Sequence, residues 1–370
     1  MRSGDHYRVG YRAAFMMRSD LALRDMRTPM LVTAYATDVL ATHLPRIRGA
    51  SESVTIKAGG SVEQTLDLCR DYIKKYKPPK GPKVSSPASL PCRLRQDYVD
   101  LDGGQLRLRR NEDGNGRTVL VLHDALGSSE TVVDIARGFI GKRPVVALNL
   151  PGHGESDDTL ARGKPSVAAY ADAVIAALDA LRIDCVDVVG TGLGSVIGLE
   201  LALRHRDRIN ALAMTGVAYV DDALAAQLVE RIAPAIKPDW YGGYLLEAWH
   251  TVRDHGLFWP WYERTGSAAI RQEPQINPTH VQQRVLELFR SEGAWRRGFQ
   301  AQFAYPLRKK LAAAFGKKSI KLVFAASDLD PQRDNTWRAA AEFPQAQHAA
   351  LPDAEHKWAA ILLPYLDGAH

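Results

Sequence analysis

The chain has 370 residues, 46% of them hydrophobic and 24% charged, enough for one large core plus a smaller unit. Its net charge of +6 comes from scattered Lys and Arg without a long basic run, which argues against a nucleic-acid surface. Cys69, Cys92 and Cys185 are too far apart for a metal or disulfide pattern, and no stretch approaches the ~18 apolar residues of a membrane span. The first thirty residues also lack a signal-peptide core. A soluble, cytoplasmic chain is expected, with no cofactor, no metal, no nucleic-acid partner and no membrane partner.

Residues 1–76 read as a small β-α-β-α unit, with strands at Met30–Asp38 and Ser53–Ile56 and a helix at Val62–Tyr76. This unit resembles the other end of the same chain. Tyr7-Arg8-Val9-Gly10-Tyr11-Arg12-Ala13-Ala14-Phe15 parallels Trp295-Arg296-Arg297-Gly298-Phe299-Gln300-Ala301-Gln302-Phe303, and Met30–Asp38 parallels Leu322–Asp328. Apolar strands of such a fragment need partners: the main sheet, each other, or a second subunit. Homo-oligomer formation through this unit is therefore one expectation. Residues 77–95 follow as a linker, opening with the Pro/Ser/Lys-rich run Lys77–Pro91.

From residue 96 onward, strand and helix patterns alternate. Tyr98–Leu101 and Gln105–Arg110 flank an Asp-Gly-Gly turn, a hairpin signal. Apolar runs at Thr118–Leu122, Pro144–Leu148, Val186–Val189, Ala211–Met214 and Ile320–Phe324 suit parallel strands covered on both faces. Between them, Val167, Tyr170, Val174, Leu178 and Leu181 share one helix face, as do Trp358, Ile361, Leu362, Tyr365 and Leu366. The fold class is α/β, a doubly wound and mostly parallel sheet. Residues from about 220 to 308 break the rhythm with helical sequence holding five of the seven Trp, and read as a helical cap. Trp240, Trp249, Trp259 and Trp261 either line an apolar pocket beneath that cap or pack it onto the core.

Three strand ends carry the chemistry. Thr118–Leu122 runs into His123-Asp124-Ala125-Leu126-Gly127-Ser128-Ser129. Val145–Leu148 runs into Asn149-Leu150-Pro151-Gly152-His153-Gly154-Glu155-Ser156-Asp157. Val186–Val189 runs into Gly190-Thr191-Gly192-Leu193-Gly194-Ser195 and a helix, and His356 precedes the last helix. In this order and spacing the blocks, over about residues 96–370, resemble the α/β-hydrolase superfamily. The resemblance makes residues 1–76 a second, partial copy of that fold's last quarter, lacking a histidine near Gly59, Gly60 and Ser61.

The resemblance implies a Gly-x-nucleophile-x-Gly elbow, with Gly190 and Gly194 as its outer glycines. Gly192 then stands at the nucleophile position, where such enzymes carry Ser, Cys or Asp, and is expected to leave that position vacant, with space for a water. Leu193 and Ala125 match the oxyanion-hole amides, and His356 matches the catalytic histidine. Its acid partner is Asp328 or Asp330, with Asp328 preferred by counting from the strand. Asp124 stands where the family usually has Gly, either as a base or as an ordinary loop residue. Thr191 is expected to turn away from the site and Ser195 to pack, and His153 belongs to a mainly structural loop.

Two functions compete. One is an enzyme without covalent catalysis, in which His356 and its Asp act as general base beside an oxyanion hole on a small apolar or aromatic carbonyl or ester compound. The other is an inactive binding or scaffold protein, similar to the N-myc downstream-regulated proteins, which also carry glycine at this elbow. The fold alone does not choose between them.

Overall fold

The computed structural model describes residues 6–76, 81, 91–160, 163, 165–271, 273–274, 276–315 and 320–368. The chain divides into two compact units, Met1–Pro87 and Ala88–His370. The expected linker, residues 77–95, lies mostly outside the described residues.

In the first unit, helices α1 (His6–Met16) and α2 (Ser19–Arg24) precede strand β1 (Met30–Val32). A 3-10 turn at Ala41–Arg46, strand β2 (Val54–Ile56) and helix α3 (Val62–Lys74) follow. The β-α-β-α expectation is corrected on two points. Two helices come before the first strand, and the segment between the strands is a 3-10 turn holding Pro45, which has no amide to give an α-helix. The strands pair with each other in parallel, Met30 opposite Val54 and Val32 opposite Ile56. Ser61 opens α3 with a reciprocal cap: its Oγ accepts the Gln64 amide, and the Gln64 side chain accepts the Ser61 amide.

The second unit opens with the expected hairpin of β3 (Arg95–Leu101) and β4 (Gly104–Asn111), whose turn places Gly103 at φ +89°. Then β5 (Thr118–Leu122), α4 (Val133–Phe139), β6 (Val145–Leu148), α5 (Val167–Ala180), β7 (Val186–Thr191), α6 (Leu193–Arg204) and β8 (Ile209–Thr215) alternate. Helices α7 (Asp222–Arg231), α8 (Gly243–His255), α9 (Pro278–Arg290) and α10 (Ala294–Ala304) interrupt the alternation. It resumes with α11 (Leu307–Ala314), β9 (Lys321–Ser327), α12 (Arg333–Glu342), β10 (Gln347–Leu351) and α13 (Trp358–Asp367).

The eight strands lie in the order β3-β4-β6-β5-β7-β8-β9-β10. β4 runs antiparallel to both its neighbours, and the rest are parallel. Side chains alternate across this sheet, so the unbroken apolar runs feed two cores. Leu120 and Leu122 of β5 pack with α5 and α6, while Val119 and Val121 pack with α4 and α13. Each fully buried Leu or Val contributes about 1.5–3 kcal/mol. The chain leaves β5 for β6 on one side and later returns to β7 on the other. The crevice at the carboxyl ends of β5 and β7 is therefore where such a sheet can hold a ligand.

The inserted helices have their own apolar cluster. On α9, Val281, Val285 and Leu288 recur at helical spacing and meet Leu228, Ile232, Ala248, Val252, Trp295 and Phe303. Leu126, from the loop after β5, joins the same cluster, which ties these helices to the carboxyl edge of the sheet. No helix among the described residues is long and apolar enough to cross a membrane.

Candidate active site

The turn between β7 and α6 is a sharp elbow, and its glycines are sterically required. A Cβ on Gly190 would lie 2.5 Å from the Gly194 backbone, and one on Gly194 would lie 2.3 Å from the Leu122 carbonyl oxygen. Gly192, at the apex, adopts φ +52° and ψ −113°. That conformation aims its side-chain position at the loop after β5. There a Cβ on Gly192 would sit 2.9 Å from Cβ of Asp124. The nucleophile's place is thus not vacant, as the sequence suggested: Asp124 stands against it.

A cavity of about 620 Å³ lies over Gly192, between the carboxyl edge of the sheet and the inserted helices. Its polar wall includes Asp124, Arg284, Asp330, Glu355, His255 and His280, and its apolar wall includes Trp259, Phe299 and Phe303. Arg284 projects from the same face of α9 as Val281 and Val285, and its Nη2 donates to Asp124 Oδ2 at 2.7 Å. Burial pushes the Asp124 carboxyl up. The charge and hydrogen bond of Arg284 outweigh it and leave Asp124 below the usual carboxylate range. Asp124 Oδ1 is buried without a hydrogen-bond partner, as is Nε2 of His255.

Two further carboxyls face this cavity with the opposite tendency. Burial raises Asp330, against the amides of Gln332 and Gly216 that donate to it at 2.8 and 3.1 Å. Burial raises Glu355 to about 7, with Arg284 opposing and Asp134 and Asp124 reinforcing. The histidines are held neutral. Burial, then the charge of Arg284, lowers His255 to about 4, and the same two causes lower His280.

The structure separates the residues expected to form a catalytic pair. Asp328, the preferred acid, does not turn into the cavity: its side chain is 84% exposed and pairs with Arg333 at 3.1 Å. Asp330, two residues on, is the carboxyl that turns into the cavity. His356 lines the cavity mouth but is exposed, and no hydrogen bond joins it to either Asp among the described residues. Its neighbour Glu355 is the better buried of the two.

The side chains of the two residues expected to give oxyanion donors pack inward. Leu193 and Ala125 are fully buried and neither lines the cavity. Helix α10 packs on them, since a Cβ on Gly298 would lie 3.0 Å from Leu193 Cδ2 and 3.1 Å from Ala125 Cβ. Of the four tryptophans, only Trp259 lines the cavity. Trp240 is 93% exposed, Trp249 packs within the helical cluster beside His250, and Trp261 donates through Nε1 to the Ile232 carbonyl at 2.8 Å. Large aromatics there are mostly used for packing or left in solvent.

Other sequence candidates are structural. Ser195 Oγ lies 2.7 Å from the carbonyls of Gly190 and Thr215 and accepts the Thr215 amide, so it fastens β7 to β8. His153 bridges the carbonyls of Pro151 and Ala125. His123 Nε2 accepts the Leu150 amide at 2.9 Å, so its proton sits on Nδ1 and is donated to the Asp124 carbonyl. Burial takes His123 down to about 3. Thr191, expected to turn away, is among the residues lining the cavity. Arg284, Glu355, His280 and Gln302 escaped the sequence reading. Arg284 alone left a clear signal, a charge on the apolar face of an amphipathic helix.

Residues 117–358 match the family model described as the alpha/beta hydrolase fold. The chain is 25% identical over 219 residues to the dihydrolipoyllysine-residue acetyltransferase component of the acetoin cleaving system of Cupriavidus necator, covering 58% of this chain and 57% of that protein. It is 32% identical over 124 residues to 2-hydroxymuconate semialdehyde hydrolase of Pseudomonas putida, covering 33% of this chain and 44% of that one. The matches thus span about half the length of these curated relatives. Among solved structures, a hydrolase from Pseudomonas aeruginosa PA01 superposes with a TM-score of 0.52 at 19% identity, over 74% of this chain and 96% of that one; at that identity the likeness is one of fold. On its sheet order, its elbow and this match over more than half its length, the chain belongs to the α/β-hydrolase fold family.

Proposed function

We propose that this protein is an α/β-hydrolase-fold enzyme without an acyl-enzyme step, acting on a small, partly apolar or aromatic carbonyl compound by proton transfer. The observation that carries this reading is Asp124 standing against the nucleophile position while a cavity of about 620 Å³ stays open above it. The volume suits a small ligand, and Trp259, Phe299 and Phe303 offer it an apolar wall. Arg284 is the donor for a carbonyl or carboxylate oxygen. Glu355 replaces His356 as the proposed general base, because its carboxyl faces the cavity and changes charge near neutral pH. In the proposed step Glu355 takes a proton either from a bound water, whose oxygen bonds to the carbonyl carbon, or from a carbon beside the carbonyl, whose C–H pair becomes the C=C bond of an enolate. In either case the carbonyl π pair moves onto its oxygen, where Arg284 meets the developing charge, and Glu355 carries the proton to be returned to the product. The Pseudomonas putida relative is a 2-hydroxymuconate semialdehyde hydrolase, which is consistent with a carbonyl substrate here.

A second reading, a binding protein without turnover, is favoured by one observation: His356 is exposed and, among the described residues, hydrogen-bonded to neither Asp328 nor Asp330, so no catalytic histidine pair stands over Gly192. One experiment separates the two. Small aromatic and aliphatic carbonyl compounds are screened for binding by ligand-observed NMR, and each binder is followed for conversion. The enzyme reading expects a binder that is converted, with conversion lost in Glu355→Gln and binding weakened in Arg284→Met. Binding without conversion supports the second reading. Binders indifferent to Arg284→Met refute both.

A further inference from the structure

Residues 6–76 fold without a core of their own. Leu44 is the only buried residue among them, and most of the exposed large apolar side chains among the described residues of the whole chain lie there. Taken by itself, this unit leaves more large apolar side chains open than a soluble fold usually does.

The exposed surface has a counterpart in the same chain. The order α1, α2, β1, 3-10 turn, β2, α3 repeats the order α10, α11, β9, α12, β10, α13, and each strand pair is parallel. Matched positions differ in one respect, burial. Trp295 is 3% exposed and Phe303 7%, but their matches Tyr7 and Phe15 are 58% and 84% exposed. Leu362 is fully buried, whereas Leu66, at the matching place in α3, is 63% exposed. The glycines are the most telling pair. Gly298 lets α10 approach the elbow helix, where a Cβ would meet Leu193 at 3.0 Å, whereas a Cβ on Gly10 would meet nothing within 4 Å. A glycine in mid-helix costs about 1 kcal/mol relative to Ala, which a close approach offsets in α10 and nothing offsets in α1. Finally, β9 pairs with β8 as well as β10, while β1 pairs with β2 alone among the described residues.

We infer that residues 6–76 are the closing quarter of a second hydrolase-fold sheet, and that their apolar face is a docking surface for a hydrolase-fold body whose sheet stops at a β8-type strand. Such a body supplies what the matched elements touch in the second unit: a strand for the free edge of β1, an elbow helix for Gly10, and an apolar layer for Tyr7, Phe15 and Leu66. A second copy of this chain does not supply it, because its own β8 is already paired on both sides, with β7 and β9.

The test co-expresses the full chain with a separately tagged probe, residues 88–293 of the same sequence, which ends before α10 and so lacks a closing quarter. The docking inference expects a soluble 1:1 complex, with the amides of β1 becoming protected from hydrogen exchange on binding. Phe15→Asp and Gly10→Leu, both outside the second unit, should each cut recovery of the probe at least about tenfold, as loss of a buried interface anchor does. A probe that stays insoluble, or that binds equally well to both variants, overturns the inference. So does a full chain that alone forms a dimer broken by Phe15→Asp, which would assign the face to a second copy.

Discussion

Replacing Gly192 with serine is the obvious attempt to restore a nucleophile, and the structure expects it to fail for a definable reason. A side chain at 192 must accept φ +52°. For an L-residue that left-handed backbone costs about 1–2 kcal/mol. Its Cβ would also lie 2.9 Å from Cβ of Asp124, closer than real Cβ atoms come, and forcing such contacts in a packed site costs about 1–3 kcal/mol. Gly192→Ser should therefore destabilise the second unit by about 2–5 kcal/mol, a fall in melting temperature of the order of 10 °C. Asp124→Gly removes the opposing Cβ. The double variant should recover the steric part, about 1–3 kcal/mol, and keep the backbone part. Denaturant unfolding of the parent, both single variants and the double variant gives the coupling directly. A Gly192→Ser protein as stable as the parent, or a double variant with no recovery, would refute the claim that Asp124 occupies the nucleophile's space.

The two candidate acids should separate cleanly: Asp330→Ala leaves the Gly216 and Gln332 amides without their acceptor and should cost about 1–3 kcal/mol, while Asp328→Ala should stay within about 0.5 kcal/mol by the same denaturant assay. Glu355 should leave a mark on stability against pH. Its carboxyl rises on folding from 4.5 to about 7, so the folded state holds the proton more tightly; stability is fullest below about 4.5 and declines until about 7. Urea midpoints for Glu355→Gln should lack that decline, and a parent-to-variant difference that stays constant with pH would sink the assignment. His255 acts in the other direction: lowered from 6.5 to about 4, it contributes fully above 6.5 and loses that contribution as the pH falls towards 4. His255→Phe keeps a ring against Phe299, whose centroid lies 5.7 Å away, and should unfold less readily in mild acid than the parent.

The fold was legible because burial writes itself into sequence. β5 to β9 are covered on both faces, so their apolar runs mark them directly, and the elbow glycines are fixed by contacts that tolerate no Cβ. The site was legible only where backbone dictates identity. Gly192 was found for that reason, but the reading that it leaves empty space failed, because Asp124 approaches it from 68 residues away in sequence (192 − 124). The choice between Asp328 and Asp330 turned on which way a tight turn points its side chains, and counting along the strand does not resolve that. Glu355 and His356 show the same limit: adjacent residues that both line the cavity, with the motif drawing attention to the more exposed one. In the first unit, the repeat was visible as a pattern of residue types, but the sequence gives no sign that its apolar positions stand uncovered.

The most direct test of the central claim is covalent labelling. The parent protein, Gly192→Ser and the double variant Asp124→Gly/Gly192→Ser are treated with a fluorophosphonate, which reacts with activated serine nucleophiles, and their intact masses are measured. The account expects no adduct on the parent, and at most slow labelling at position 192 on either variant, because reopening space for a serine brings no paired histidine base to it. A stoichiometric adduct on the parent chain would show that it carries an activated nucleophile elsewhere, and would contradict an enzyme without an acyl-enzyme step.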